Sequence, residues 1–289
     1  MNILHTMRFV LIIILSFAAS GCNQPDFPKY ETLGDLRILT IIADVPEANP
    51  GDTVTFTPVL SDLKGQGRTI SYTVQACIDP GVGIGISPAC TDPDPASLLT
   101  GTVAIAPGAG QTYTGPVPSF SLIMPTADAI FASRRAADQY NGVAYLVFYS
   151  ISVPGGPSVD SFLRVIVSSS DKTQKNRNTV ITSVDLNDSP ISGIIPIPAT
   201  PANFRVTTPP GSAETFEVMQ KDGSLTTQTE ELINTWFIAD GTLDFSRTIG
   251  SSENSWTPPK SRPTNRGMVM LVVTRDGRGG AAFQKVELN

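Results

Sequence analysis

Apolar and polar residues alternate with a period of two along several short stretches of this chain. Over residues 68–76, Ile70, Tyr72, Val74 and Ala76 fall on one side, and Thr69, Ser71, Thr73 and Gln75 on the other. Successive side chains of a strand point to opposite faces, so this pattern predicts a strand with one buried face. Residues 53–60 repeat it with Val54 and Phe56 inward, after a turn at Asn49-Pro50-Gly51-Asp52. Further strands are predicted at 36–43, 101–106 and 119–124. Residues 143–153 are apolar on both faces over their first half, which predicts a strand covered on both sides. Residues 161–168 follow as its hairpin partner across Pro154-Gly155-Gly156-Pro157. Residues 127–139 alone predict a helix, capped by Thr126, ended by Asn141-Gly142 and carrying Arg134 and Arg135 on a solvated face.

Past a polar run at 171–178 the strand pattern resumes at 203–208, 215–220, 232–239, 242–248, 268–274 and 281–288. Asp276-Gly277-Arg278-Gly279-Gly280 makes a Gly-rich turn between the last two, which predicts an antiparallel hairpin. The expectation is an all-β chain of two tandem Ig-like β-sandwich domains, 35–170 and 179–289, joined by a linker or hinge at 171–178. The first carries a short helical insertion. Composition agrees, since 24 Gly and 24 Pro disfavour long helices while 40% hydrophobic residues suffice for packed cores. Trp236 lies in mid-strand and is expected in the core. Trp256, before Pro258-Pro259, is expected near an edge.

The N-terminus changes the picture from fold to location. A short basic start ending at Arg8 precedes a nine-residue apolar run, FVLIIILSF, then Ala18-Ala19-Ser20-Gly21-Cys22. Such a run is too short to span a bilayer, which takes about 20 residues, and has the three-part layout of a secretory signal. Met7 is a second possible start. Ala19-Ser20-Gly21-Cys22 resembles a bacterial lipobox, with Ala in place of the common Leu. The resemblance implies removal of residues 1–21 as a lipoprotein signal peptide and acylation (palmitate among the acyl groups) of Cys22 as the lipid attachment site. Residues 22–34 would then form a tether, of which Asn23 to Leu33 reaches at most roughly 35 Å when extended. Asn23 after the cysteine resembles the sorting signal for export to the outer membrane of a Gram-negative cell envelope.

Cleavage removes Arg8 and no acid, so the formal charge moves from −6 to −7. An acidic surface repels phosphate backbones, which argues against nucleic acid as a partner. It also removes His5, the only histidine, and with it Ser-His-Asp, Cys-His and His-containing zinc chemistry. No catalytic residue, metal site or cofactor is therefore expected. Glu230-Glu231 is the one adjacent acidic pair and reads as solvated loop. Cys77 and Cys90 in an exported chain are expected to form a disulfide that staples a Gly/Pro-rich segment. Asp185-Leu186-Asn187-Asp188 resembles the calcium linker of cadherins. Calcium needs about six to eight oxygens, so Asp44 or Glu47 would have to converge on it; Asx residues also simply make turns.

Three segments together carry a family likeness: Asn234-Thr235-Trp236-Phe237-Ile238-Ala239-Asp240-Gly241-Thr242-Leu243, Asn254-Ser255-Trp256-Thr257-Pro258-Pro259 and Val272-Val273-Thr274-Arg275-Asp276-Gly277-Arg278-Gly279-Gly280. They resemble bacterial PKD-like or Ig-like repeats, and residues 50–56 resemble the same class more loosely. The resemblance implies sandwiches in a non-enzymatic cell-envelope protein used for adhesion, spacing or assembly. The implied partners are the membrane, through the lipid anchor, and an unidentified envelope protein or glycan. The alternative is a carbohydrate- or host-surface-binding lipoprotein with Tyr145, Tyr149 or Trp256 on an exposed face. A carboxylate-dependent glycan hydrolase would need two acids about 5–10 Å apart in one cleft.

Overall fold

The alternating stretches become strands, and their apolar sides meet face to face. The computed structural model describes residues 29–65, 67–81, 88–105, 112–156, 158–261 and 268–289. The expected signal peptide, Cys22 and most of the expected tether lie outside the described residues. The first sandwich contains β1 (Arg37–Ala43), β2 (Glu47–Ala48), β3 (Thr53–Asp62), β4 (Arg68–Ile78), β5 (Leu99–Ile105), β6 (Tyr113–Pro116), β7 (Phe120–Ile123), β8 (Val143–Ser152) and β9 (Ser158–Val167). One sheet runs β1-β3-β6, with β7 also on β3, and the other runs β2-β9-β8-β4-β5. Val54 and Phe56 pack against Ile70, Tyr145, Tyr149 and Val165 between them. The Phe120 ring stacks on Phe56 and on Tyr149, with centroids 5.1 and 5.6 Å apart.

The two-faced apolar character of β8 has a local cause. Tyr145, Val147 and Tyr149 face the core, while Leu146 on the opposite face is also fully buried. Cys90, bonded to Cys77, lies over that face with its Sγ 3.9 Å from the Leu146 carbonyl oxygen. The expected disulfide is thus present and covers part of the outer sheet surface. The single helix expected over 127–139 is instead two, α1 (Ala127–Ile130) and α2 (Ala136–Asn141). Ser133 between them takes φ 59°, which no continuous right-handed helix accommodates.

The second sandwich contains β10 (Ser183–Leu186), β11 (Ser189–Pro190), β12 (Ala202–Thr207), β13 (Thr215–Met219), β14 (Leu225–Thr229), β15 (Ile233–Ile238), β16 (Thr242–Leu243), β17 (Arg247–Ile249), β18 (Asn254–Thr257), β19 (Met268–Arg275) and β20 (Ala281–Leu288). Its sheets run β11-β10-β12-β18-β16 and β17-β15-β19-β20, with β13-β14 as a separate hairpin. The strand expected over 242–248 is split, its halves serving opposite sheets. Trp256 is not near an edge: both tryptophans are fully buried between the sheets. Trp236 Nε1 donates to Thr248 Oγ1 at 2.9 Å and Trp256 Nε1 to the Asp240 carbonyl at 3.2 Å, so neither indole leaves its donor unpaired. The turn passes so close to Trp256 that only glycine fits at Gly241, where φ is +87° and a Cβ would lie 2.4 Å from the indole nitrogen.

Strand β19 is buried on both faces, and the two faces serve different cores. Met268, Met270 and Val272 point into the second sandwich. Val269, Leu271 and Val273 point the other way, with Phe237 and Ala239, onto Leu33, Leu39, Val59 and Leu63 of the first part of the chain. A third hydrophobic core therefore joins the two sandwiches, and residues 31–289 form one compact unit. This compact unit includes residues 31–34 of the segment expected as tether. Ile238 N–H donates to the Glu31 carbonyl and Leu33 N–H to the Ile238 carbonyl, both at 2.8 Å, and the Leu33 side chain is buried in the third core. Among the described residues no helix is long and apolar enough to cross a membrane.

Candidate functional site: a charged junction and its groove

Residues 171–178, expected as a linker or hinge, are stitched to both sandwiches. Their centre is Glu47, whose side chain is buried at the short strand β2. Glu47 Oε1 accepts from Lys172 Nζ at 2.7 Å, and Oε2 accepts from the Asn176 backbone N–H at 2.8 Å and from Arg278 at 3.0 Å. Asn176 Nδ2 donates to Asp276 Oδ2 at 3.0 Å. Asn178 donates to the Ala43 carbonyl at 2.7 Å and accepts from the Ala281 N–H at 3.0 Å. One short polar segment thus bonds to β1 and β2 on one side and to the β19–β20 turn on the other.

The turn itself is built on Asp276. Its Oδ1 accepts from the N–H groups of Arg278 and Gly280, at 2.8 and 3.0 Å. That fixes the backbone so that the Arg278 side chain reaches back across the junction. Arg278 divides its guanidinium between Glu47 and Glu230, the latter at 2.9 Å, and lies 4.0 Å over the Phe216 ring of β13. Its planar fork suits this arrangement, with two carboxylates in plane and an aromatic on its face.

The electrostatics of the three acids differ. Burial pushes the Glu47 carboxyl up, but hydrogen bonds from Lys172, Asn176 and Ser168 outweigh it and hold the group below the ordinary carboxylate value. Asp276 goes the other way: burial raises it above its ordinary value, against the opposing hydrogen bonds from Arg278, Asn176 and Gly280. Glu230 is also raised, by burial and then by the charge of Asp276.

Beside this cluster runs a groove of about 460 Å³, lined by Phe162, Leu163, Arg164 and Ile166 of β9, by Phe216, Glu217 and Val218 of β13, and by the Gly277–Gly279 turn. The β13–β14 hairpin forms its far wall. It is held there by Asn141 of α2, which donates to the Met219 carbonyl at 2.9 Å and accepts from the Met219 N–H at 2.8 Å. Tyr140 adds a hydrogen bond to Glu217 at 3.3 Å.

Residues singled out from sequence fall elsewhere. Cys22 lies outside the described residues. Tyr145, Tyr149, Trp236 and Trp256 are buried in cores and offer no exposed ring face. Arg134 and Arg135 are exposed as expected, and Arg135 pairs with Asp138. Glu230 is not solvated loop but part of the buried junction, while Glu231 is exposed. Asp185 of the expected calcium linker accepts from Ser183, Thr207 and Arg205, and Asp188 pairs with Arg205. Glu47 is committed to the junction instead. Asn187 and Asp188 both take positive φ, so this stretch is a tight turn between β10 and β11. Among the described residues no cluster of three or more metal-ligating side chains is present. The residues sequence reasoning passed over are Lys172, Asn176, Asp276 and Arg278 as a set, together with Phe162 and Phe216.

No family model matches the chain, and no curated protein matches it. Among solved structures it is similar to a cycloisomaltooligosaccharide glucanotransferase of Paenibacillus sp., at 17% identity and TM-score 0.30, over 57% of this chain and 16% of that one. It is similar to the periplasmic chaperone SfaE at 11% identity and TM-score 0.28, over 86% of this chain and 98% of the other. The two tandem V-type regions of the chitin-binding protein VCBP3 give 11% identity and TM-score 0.25, over 87% and 99%. This chain thus spans about a sixth of the glucanotransferase's length. The sandwich architecture rests on the strand pairing and cores described above, and these likenesses carry no conclusion about activity.

Proposed function

We propose that this chain is a lipid-anchored, non-enzymatic envelope protein that holds two fused β-sandwiches, the second PKD-like, close to a membrane as a protein-binding or spacing module. One observation carries the reading. The body that begins at Glu31, a few residues after the lipobox cysteine, is a single block sharing a third hydrophobic core and a buried ionic junction. A spacer needs rigidity between its ends, and a block of this kind supplies it without a flexible joint. The short stretch from Asn23 to Tyr30 would keep the block within about 30 Å of the lipid. Several acyl chains on Cys22 would give firm anchoring where one gives only marginal binding. The glycan-binding alternative draws less support, because the aromatic rings it would use are buried.

The test is to express the full chain in a Gram-negative host, fractionate the membranes and determine the mass of the N-terminal peptide. The expected result is an acylated Cys22 with residues 1–21 removed, and a Cys22→Ser chain released from the membrane fraction. An unmodified thiol at Cys22 in a membrane-free chain would overturn the reading.

A further inference from the structure

The buried charges of the junction do not balance, and the imbalance sits at Asp276. Glu47 is answered by Lys172 and Arg278, with Lys175 bonded to Ser168 nearby. On the other side one guanidinium serves what remains. Arg278 meets Glu230 at 2.9 Å and comes within 4.0 Å of Glu214. Asp276 is 3% exposed and has no cation within ion-pair distance among the described residues. Its partners are three N–H groups, from the Arg278 and Gly280 backbone and the Asn176 amide. The charges on adjoining elements are engaged elsewhere or face solvent. Arg275 sends its guanidinium to Thr235 and the Leu39 carbonyl, and Arg177 is exposed. Glu217 of β13 bonds to Tyr140 of α2, and Arg164 of β9 is paired with Asp79.

The site is also closed. A Cβ at residue 280 would collide with Asp276 Oδ2 and with the Arg177 carbonyl, so the turn and the 171–178 segment pack directly on the carboxyl. A charged carboxylate here is unfavourable, because it has lost its hydration and gains only neutral dipoles in return. A proton removes that penalty and leaves the turn intact, since the carbonyl oxygen of a neutral acid still accepts from the Arg278 and Gly280 N–H groups. The new O–H needs an acceptor. Asn176 Oδ1 is buried without a hydrogen-bond partner, on the amide whose nitrogen lies 3.0 Å from Asp276 Oδ2.

We propose that Asp276 is a proton-operated lock on this junction, taking up one proton from the solvent as the surroundings acidify and so tightening the joint between the two sandwiches. The turn it shapes carries Arg278 across to Glu47 and Glu230, which transmits the relief to both sides of the joint. The direction agrees with the raised position of the Asp276 carboxyl. A carboxyl raised in the folded chain stabilises the fold below its unfolded value and loses that contribution as pH rises through the folded one. Each unit of elevation changes the folded-to-unfolded ratio about tenfold. Glu230 is shifted the same way. Glu47, shifted the opposite way, sets the lower limit, since its contribution is lost as pH falls through its own folded value. The lock needs no lipid anchor and stands or falls apart from the function proposed above.

The test uses the full chain purified in detergent, with its aspartates carbon-13 labelled at the side-chain carboxyl and titrated by NMR from neutral pH downward. One carboxyl is expected to titrate above the ordinary 3.8, and its signal to be missing from Asp276→Asn. Asp138, Asp185 and Asp222 are held below that value by their hydrogen bonds, so they do not mimic it. In urea unfolding, wild type should gain stability relative to Asp276→Asn as pH falls, because the variant has no proton to take up at this position. Over the same step, amide exchange at Asn176 and Ala281, whose N–H groups bond across the joint, should slow relative to intrinsic rates in wild type and not in the variant. A stability gap that is flat with pH, or that moves against wild type in acid, would overturn the inference. So would amides at the joint that do not slow. Because the titration reads the unaltered chain, it decides even where the variant folds poorly: no aspartate titrating above 3.8 would overturn the inference by itself.

Discussion

Replacing Glu47 by Gln tests the ionic junction with almost no change of shape. The carboxylate is 2% exposed and accepts from three donors, Lys172, the Asn176 backbone and Arg278. Glutamine keeps one acceptor oxygen and turns an N–H₂ toward donors. Arg278 retains Glu230, but Lys172, itself 5% exposed, loses the carboxylate it is paired with. Leaving one member of a buried pair without its partner costs about 3–5 kcal/mol. That is a large share of the roughly 5–15 kcal/mol that holds an average domain folded. Urea unfolding at neutral pH, followed by tryptophan fluorescence, should show a loss of this order. Both tryptophans lie in the second sandwich whereas Glu47 belongs to the first, so the signal also reports coupling across the junction. The pH dependence has a fixed sign. A carboxyl held below its ordinary value stabilises the fold above that value and loses its contribution as pH falls through the folded one. The gap between wild type and Glu47→Gln should therefore shrink on acidification below about pH 4.5. A gap under about 1 kcal/mol at pH 7, or one that widens in acid, would refute the reasoning.

Phe56→Ala, deep in the first core and remote from either indole, should destabilise by about 3–5 kcal/mol. Because the sandwiches are fused, it should shift the tryptophan unfolding transition with it; an unmoved transition would mean that the two unfold separately. Replacing Cys77 and Cys90 together by Ser should lower stability by roughly 3 kcal/mol in the chain-entropy description of a 13-residue separation, read from urea midpoints. Burial raises the phenols of Tyr145 and Tyr149 well above the ordinary value of 10.0, with the charges of Asp94 and Tyr72 adding to it respectively. A folded phenol that keeps its proton where the unfolded one loses it makes stability fall as pH rises past 10. Ultraviolet titration should then show these two ionising only with alkaline unfolding.

Much of the fold was legible because it follows from local periodicity. The alternation at 68–76 became β4, and the Gly-rich turn at 276–280 joined β19 to β20 as expected. Where the reading failed, tertiary packing overrode a local cue. Pro258-Pro259 suggested an edge for Trp256, yet Phe204 meets its ring edge-on at 6.0 Å inside the core. The strand expected over 268–274 is apolar from Met268 to Val273, and nothing local shows that its second face serves the contact between sandwiches. The junction was illegible for a plainer reason. Glu47 and Arg278 stand 231 positions apart, and hydrophilic residues at 171–178 look alike whether they are solvated or bonded.

The fusion of the two sandwiches is tested most directly by a distance distribution between them. Spin labels on cysteines introduced at the exposed positions Thr100 of β5 and Ser251 of the second sandwich allow this by pulsed electron resonance. One narrow distance, unchanged between low and high salt, is the result predicted for a block joined by an apolar core. A broad distribution, or one that spreads as salt rises, would mean that the sandwiches move independently.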